Sequence, residues 1–263
     1  MSGPELPPAL ERIAVVMPSC DRYASLWPVS LTALDRYWIG RPAATYVVAN
    51  HRACAHPGVV SILVGDDRSW SDNLITALAS VPQDYVFLAL DDLVMLPGTD
   101  AARINRMLAR AVDEGWDYLR VNPLPAPAQV GPDGLGRSAP GEAYRSATVW
   151  SLWRKAVLLA VLKPGENAWQ FEKTGSERTD GYPQWWASGL RNVPYLNVVT
   201  AGRADPDALR QLQSLGFDTG AIDFPPMNAA EYRRHRWRLL RSKGLKLVPR
   251  GLRRVVLNTF AKP

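Results

Sequence analysis

Two adjacent carboxylates, Asp91 and Asp92, directly follow a run of six apolar residues, Tyr85 to Leu90. Carboxylate oxygens at the end of a buried strand suit Mg²⁺ or Mn²⁺, and such a cation can bridge to a diphosphate. The same pair can instead cap the turn that follows the strand. The dipeptide alone therefore indicates either a divalent-cation site for a phosphorylated substrate or a structural turn.

Polar residues also follow three earlier apolar runs, at Ser19 to Asp21, at Asn50 and at Asp66. Stretches with apolar residues at helical spacing separate several of the runs, and strands that alternate with helices form a mostly parallel sheet covered on both faces. Ligands of such sheets bind at the carboxyl ends of the strands. We therefore predict an α/β fold whose polar strand ends gather along one edge of the sheet.

The predicted elements continue through the second half of the chain. The predicted strands cover residues 13–17, 45–49, 59–64, 85–90, 118–121, 144–150 and 198–203. The predicted helices cover residues 21–38, 69–79, 101–114 and 154–162. Residues 123–141, with five prolines and four glycines, are predicted to be a loop of a length that is usually functional. Residues 163–189 are polar and aromatic, and glycines interrupt them.

Two stretches of the sequence resemble a known family. The stretch IAVVMPSCDR, from Ile13 to Arg22, is similar to the opening strand and turn of GT-A glycosyltransferases of the large inverting, family-2-like group. The stretch YVFLALDDLVMLP, from Tyr85 to Pro97, resembles their metal-binding strand with its DxD-type motif. The resemblance covers residues 12–120 well and the remainder to 230 loosely. It implies a GT-A fold, a nucleotide-diphosphate sugar as donor, and Mn²⁺ or Mg²⁺ as cofactor.

The resemblance also implies which residues contact the donor. Because the motif reads Asp-Asp-Leu and not Asp-x-Asp, either acid remains a candidate metal ligand; by position we assign Asp92 to the metal and Asp91 to the nucleotide side. Further donor contacts are expected from turns that follow strands: Pro18, Ser19, Asp21, Arg22, Asn50, Asp66, Arg68 and Arg203. A structural interpretation stays open for Asn50 as a turn residue, Asp66 as a helix N-cap and Arg203 as a surface side chain.

The catalytic base is expected in the second half of the chain. An inverting transfer needs one carboxylate that deprotonates the acceptor hydroxyl. Glu172 best matches the acid that stands near the start of a later helix in the resembling enzymes, with Asp180 and Glu177 as alternatives. A retaining mechanism also stays open, since it can use the same metal site.

Tryptophans are frequent, and five of the ten stand between residues 150 and 186. Aromatic rings stack on the apolar faces of sugars and also fill cores. We expect Trp169, Trp185 and Trp186, in segments interrupted by glycine, to bind the acceptor. Trp150 and Trp153, on predicted regular elements, are expected in the core.

Composition limits the class of protein. The 263 residues are 47% hydrophobic, enough to bury a full-sized core, which excludes a disordered chain. The apolar run from Val157 to Leu162 is far shorter than the ~20 residues needed to cross a bilayer, and the N-terminus lacks a signal pattern. Cys20 and Cys54 are too few for a disulfide framework. A soluble, cytoplasmic protein is expected.

The charge is unevenly distributed along the chain. Residues 231–263 hold eleven Lys and Arg and one acid, a net of +10, whereas residues 1–230 hold 20 Lys and Arg and 24 acids, a net of −4. We predict a catalytic domain over 1–230, with a donor half (12–120) and an acceptor half (121–230), and a basic tail over 231–263. Apolar residues at helical spacing in the tail favour binding to an anionic membrane surface, with a solvated tail as the alternative, and the acidic domain disfavours nucleic acid.

Three functions are compatible with these patterns. The first is a glycosyltransferase that builds surface polysaccharide on a glycan or lipid-linked acceptor, at the inner face of the plasma membrane. The second is a sugar-1-phosphate nucleotidyltransferase, which is expected to carry a glycine-rich, basic loop after the first strand; Ser19 to Tyr23 contain no glycine. The third is a non-catalytic carbohydrate-binding protein, which has no need for paired acids at a strand end.

Overall fold

A computed structural model describes residues 7–142 and 144–237. The chain divides into two compact units. The first runs to Asn197 and also includes Phe217–Ile222, and the second holds Val198–Gly216 and the residues from Asp223 onward. The predicted division at residue 230 stays a prediction, and most of the predicted basic tail, residues 238–263, lies outside the described residues.

The elements follow the predicted alternation of strands and helices. The strands of the first unit are β1 (Ile13–Pro18), β2 (Thr45–Ala49), β3 (Val59–Leu63), β4 (Tyr85–Leu88), β5 (Leu93–Met95), β6 (Tyr118–Arg120), β7 (Leu135–Arg137), β8 (Ser151–Arg154), β9 (Trp185–Ser188) and β10 (Tyr195–Asn197). Its helices are α1 (Trp27–Tyr37), α2 (Trp70–Leu78), α3 (Ala101–Asp113), α4 (Lys155–Val161) and α5 (Ala168–Arg178), with short 3₁₀ helices at Pro8–Arg12 and Asp21–Leu26. The second unit holds β11 (Val199–Thr200), β12 (Arg203–Ala204), α6 (Pro206–Ser214) and a helical segment at 229–237.

Eight strands form one sheet in the order β3-β2-β1-β4-β8-β6-β9-β7. The strands β8 and β7 run antiparallel to their neighbours, and the other six run in one direction. A shorter pair, β10 with β5, lies outside this sheet. The prediction of an α/β fold with a mostly parallel sheet is confirmed.

Helices cover both faces of this sheet. Every residue of the central strand β1 is buried, and its alternate residues Ala14 and Val16 join a core that α2, α4 and α5 complete. On the opposite face the ring of Phe87 lies 4.7 Å from that of Trp38, which ends α1. Burial on both faces explains why the strand sequences are continuously apolar and do not alternate with polar residues.

The strand predicted over 144–150 is wrong. Tyr144 and Trp150 adopt positive φ angles of 56° and 50°, which no strand tolerates, and the antiparallel strand begins only at Ser151. The buried backbone between them is satisfied by side chains from other elements. The Tyr118 hydroxyl accepts from the Ala147 N–H at 3.1 Å, for example.

Residues 163–189 contain more regular structure than their glycines suggest. Asn167 and Gln170 form a reciprocal capping box that starts α5. Gly175 lies within α5, and its lack of a Cβ leaves space for the ring of Phe171 one turn earlier. In the second unit, residues 198–203 form a tight hairpin instead of one strand, because Ala201 and Gly202 turn through φ angles of 51° and 71°.

Candidate active site

A cavity of about 280 Å³ lies at the carboxyl ends of β1 and β4. We call it the strand-end cavity. Four predicted residues line it: Pro18, Ser19, Asp91 and Asp92. Five further polar or aromatic residues line it that were not predicted from the sequence: Cys20, Tyr23, Asp67, Trp70 and Asn73. The sheet topology thus brings the turns after β1 and β4 together with the start of α2, as expected at the edge of a parallel sheet.

Asp91 is the most buried acid of this cavity. The Ser19 hydroxyl donates to its Oδ2, and the indole N–H of Trp27 donates to that hydroxyl at 2.7 Å. Burial, followed by the charge of Asp92, raises the pKa of Asp91 to about 7. Burial also raises the pKa of Asp92 to about 6. Burial therefore disfavours the ionised form of both carboxylates.

The donor set of the strand-end cavity fits a divalent cation shared with a diphosphate. Three carboxylates, those of Asp67, Asp91 and Asp92, line the cavity, and no Lys or Arg is among its described lining residues. Across residues 7–142 and 144–237, no three acids, histidines or cysteines are grouped to hold one ion. The protein would therefore supply two carboxylates, Asp91 and Asp92, and phosphate oxygens and water would complete the coordination.

Asp21 and Asn50 join the turns beside this cavity. The Asp21 carboxylate accepts from the backbone N–H groups of Asn50, His51 and Arg52 at 3.0–3.1 Å. Burial acts to raise the pKa of Asp21, but these backbone bonds lower it below its ordinary value. The Asn50 amide accepts from the Asp21 N–H and donates to the Gly65 carbonyl. Both side chains have a role within the fold, and their contact with a nucleotide stays a prediction.

The remaining predicted donor residues lie outside the lining of the strand-end cavity. Arg22, Asp66 and Arg68 are exposed, and Asp67 takes the cavity position expected of Asp66, with the Asn73 amide donating to its Oδ1 at 2.7 Å. The N-cap of α2 is Ser69, so the alternative role of Asp66 as a cap is wrong. Arg203 belongs to the second unit. Donor contact by these residues stays a prediction.

A second cavity, of about 300 Å³, holds the predicted base Glu172. We call it the Glu172 cavity. Glu172 lies on the second turn of α5, and its Oε1 accepts from the backbone N–H and the hydroxyl of Thr148 at 2.7 and 2.8 Å. The alternative bases lie elsewhere. Asp180 accepts from the Gly141 N–H at 2.9 Å, Glu177 is exposed on α5, and neither lines this cavity or the strand-end cavity.

Two elements connect these cavities. Ala168, at the start of α5, lines the strand-end cavity, and Glu172 follows it by about one turn. The strand β5 begins directly after Asp92 and pairs with β10. The first residue of β10, Tyr195, lies in the lining of the Glu172 cavity. Burial raises the pKa of Tyr195, and the carboxylates of Glu172 and Asp92 add to this effect against the opposing charge of Arg191. The hydroxyl of Tyr195 thus experiences the charge of one carboxylate from each cavity.

The predicted sugar-stacking tryptophans have different surroundings. Trp185 is 0% exposed and its ring stacks 4.6 Å from that of Tyr118, so its assignment to the acceptor is wrong. Trp186 follows Trp185 on β9. Its ring stacks 4.5 Å from that of Trp116 and lies 4.9 Å from the Arg137 guanidinium. Trp169 is 78% exposed on the first turn of α5, and its contact with an acceptor stays a prediction. Trp150 and Trp153 are buried in the core, as predicted.

No family model and no curated protein matches this sequence. The structure is similar to that of S. aureus TarS 1-349, with 13% identity over 94% of this chain and 78% of that chain, at a TM-score of 0.45. It is similar to the mannosyltransferase PcManGT from Pyrobaculum calidifontis, solved with GDP-Man and Mn²⁺, with 12% identity over 77% and 61% and a TM-score of 0.45. It is also similar to 2-C-methyl-D-erythritol 4-phosphate cytidylyltransferase from Thermus thermophilus, with 17% identity over 77% and 97% and a TM-score of 0.46. At these values the likeness concerns the path of the chain and not the chemistry of the site.

Proposed function

We propose that this chain is an inverting glycosyltransferase that transfers a sugar from a nucleotide-diphosphate donor to an acceptor hydroxyl. One observation carries the proposal: the acids Asp91 and Asp92 share a cavity with no basic residue in its described lining, and α5 leads from this cavity, at Ala168, to a second cavity that holds Glu172. The first cavity would take the donor and the second the acceptor.

The strand-end cavity provides for each part of the donor. Asp92 and Asp91 would hold Mg²⁺ or Mn²⁺, which supplies positive charge to the leaving diphosphate when it is bound. Tyr23 and Trp70 offer aromatic surfaces on which a base can stack, and Asp67 can accept from a base or ribose donor. The hydroxyl of Ser19 fixes the Asp91 carboxylate.

The geometry around Glu172 suits a general base. Thr148 occupies one carboxylate oxygen with two donors, and the other oxygen, Oε2, is left for the acceptor. The acceptor hydroxyl gives its proton to Glu172 while its oxygen forms a bond to the anomeric carbon. The bond from that carbon to the diphosphate oxygen breaks in the same displacement, and its electron pair leaves with the diphosphate, so the configuration inverts.

The alternatives have less support from the described residues. A nucleotidyltransferase must neutralise a triphosphate, and no basic side chain is among the described lining of the strand-end cavity. A carbohydrate-binding protein gains nothing from two acids whose pKa values are raised to about 7 and about 6, since such burial disfavours ionised carboxylates.

The cellular setting forms part of the same proposal. Eleven basic residues and one acid in residues 231–263 support binding to an anionic surface at the inner face of the membrane. No helix among the described residues is long and apolar enough to span a bilayer. An enzyme held at such a surface would act on a glycan or lipid-linked acceptor in surface polysaccharide synthesis.

Incubation of the protein with a panel of nucleotide sugars and Mn²⁺ tests this function through the release of nucleoside diphosphate. The proposal expects release with at least one donor and none from the Asp92→Asn variant under the same conditions. A parallel reaction with CTP or UTP and sugar-1-phosphates tests the nucleotidyltransferase. Pyrophosphate release in that reaction, with no nucleoside diphosphate from any donor, would overturn the glycosyltransferase.

A further inference from the structure

Most polar groups around the Glu172 cavity are already bound to the protein itself. Arg120 is 1% exposed, and its guanidinium donates to the carbonyl oxygens of Tyr144 at 2.9 Å and Pro125 at 2.6 Å. These two carbonyls belong to separate segments that both line the cavity. Arg120 therefore joins the two segments that line the cavity, and its guanidinium binds backbone carbonyls of the protein.

Asn122 is also bound to the backbone. Its Oδ1 accepts from the N–H groups of Asn192 and Val193 at 3.0 and 2.9 Å, and its Nδ2 donates to the Val193 carbonyl at 2.8 Å. These bonds fix the segment that leads into Tyr195. Of the polar side-chain atoms in the described lining, the Glu172 Oε2 and the hydroxyls of Tyr144 and Tyr195 have no bond to another described residue, and the unpartnered Nε of Arg120 is buried.

The rest of the lining is apolar. Leu124, Pro125, Ala147 and Val149 line the cavity beside Glu172, and Leu124 stays 42% exposed. A sugar ring carries a hydroxyl on most of its carbons, and each hydroxyl that loses water without a new partner carries a desolvation cost. With so few free polar groups, this cavity is poorly suited to enclose a whole sugar ring. Its 300 Å³ fits a phenyl ring or a short alkyl chain.

We infer that the acceptor of the proposed transfer carries an apolar group, alkyl or aryl, next to its attacking hydroxyl. This inference rests on the proposed function. The hydroxyl faces the Oε2 of Glu172, and the apolar group packs against Leu124, Pro125 and Val149. Leu124 is thus a specificity-determining residue, and Arg120 ties together the Pro125 and Tyr144 segments between which the apolar group lies.

Binding and transfer are measured separately with three soluble probes: hexyl β-glucoside, phenyl β-glucoside and methyl β-glucoside. Calorimetry without donor measures the Kd, and kinetics with the donor found in the panel measures the KM. At least one of the hexyl and phenyl probes should bind about tenfold more tightly than the methyl probe. The preference between them distinguishes an alkyl from an aryl acceptor.

Two exposed leucines provide the variant and its matched control. Leu124→Asp should remove the tenfold preference without changing the KM of the donor, and Leu190→Asp, at a residue that is 52% exposed and outside the cavity lining, should keep it. Equal affinity for all three probes in the wild type, or equal effects of the two substitutions, would overturn the inference. Preferential binding without transfer would contradict the proposed function and leave the character of the cavity intact.

Discussion

Thr148 donates two hydrogen bonds to one oxygen of Glu172, from its backbone N–H at 2.7 Å and from its hydroxyl at 2.8 Å. The first bond is independent of the side chain at position 148, and the second requires a hydroxyl. Together they fix the rotation of the carboxylate, so that Oε2 is the atom that remains for an acceptor. Thr148 is therefore a positioning residue whose contribution a single substitution can isolate.

We expect Thr148→Val to lower kcat about tenfold, the effect of one hydrogen bond to a charged group, and to leave the donor KM unchanged. Thr148→Ser keeps the hydroxyl and should retain nearly full activity. Steady-state kinetics on both variants measure the two effects. A loss of activity that is equal in the valine and serine variants would show that packing, and not the hydrogen bond, matters at this position.

Removal of the proposed base, Glu172, should have a larger effect. Glu172→Gln keeps the size of the side chain and removes the proton acceptor, so kcat should fall by ~10²–10⁴ while donor affinity stays nearly unchanged. Asp180→Asn and Glu177→Gln are the matched controls, because those acids line neither cavity. Wild-type turnover in Glu172→Gln, with a loss in one of the controls, would move the base to that residue.

The sequence allowed prediction of the parts of the site that depend on local pattern. The sequence predicts β1 and the two acids, Asp91 and Asp92, that follow its neighbour β4. Each buried strand and its polar end are contiguous in sequence, so both can be recognised together. Asp67, and not the predicted Asp66, lines the strand-end cavity, because adjacent residues direct their side chains differently and neither composition nor spacing determines that direction. Donor contact by Asp66 stays a prediction.

The contributions of Arg120, Thr148 and Tyr195 could not be predicted in this way. Each meets its partner across more than twenty positions of the chain or through a neighbouring strand, so its role depends on tertiary packing. The burial of Trp185 has the same origin, since Tyr118 and Trp153 enclose its ring. An aromatic cluster in sequence does not distinguish a core from a binding surface.

The proposed cation site is tested by a substitution that keeps the shape of the side chain. Asp92→Asn removes one of the two carboxylates that would hold the cation, so turnover should be abolished and nucleotide-sugar binding weakened. Asp113→Asn is the matched control, because Asp113 is exposed at the end of α3 and lines neither cavity. Chelator should reproduce the loss in the wild type. Full wild-type activity in excess chelator would contradict the role of the metal and would leave the transfer reaction itself untouched.

The basic tail is tested by truncation after residue 243. This removes Lys246, Arg250, Arg253, Arg254 and Lys262, each worth about 1 kcal/mol near an anionic surface. The truncated protein should fold and bind nucleotide sugar but no longer sediment with anionic liposomes at low salt, whereas the full chain should sediment. If the full chain stays in solution with those liposomes, the membrane proposal is wrong.

The last prediction concerns how stability depends on pH when no divalent cation is present. The folded protein raises the pKa of Asp91 to about 7 and that of Asp92 to about 6, so above pH 4 Asp92 keeps its proton up to about pH 6 and Asp91 up to about pH 7, whereas the unfolded chain has released both. Because the folded state then binds more protons, their contribution to the free energy of unfolding is present at pH 4 and is lost as the pH rises through 7. Asp92→Asn removes the ionisation of residue 92 and also the negative charge that helps to raise the pKa of Asp91. In EDTA, the free energy of unfolding of the wild type should therefore fall more steeply from pH 4 to pH 8 than that of Asp92→Asn. We expect the difference between the two proteins to change by about 2–3 kcal/mol in favour of the variant over this range.

Urea unfolding at pH 4 and pH 8 measures this difference, and the exposed Asp66→Asn serves as control because its substitution should leave the wild-type pH dependence in place. Addition of Mn²⁺ at pH 8 should stabilise the wild type more than Asp92→Asn, since the cation compensates the two negative charges that burial disfavours. Parallel pH profiles for wild type and Asp92→Asn would mean that these carboxylates remain solvated in the folded protein. If the pH profiles diverge in EDTA but Mn²⁺ has no effect at pH 8, the two acids are buried as described and do not form a cation site.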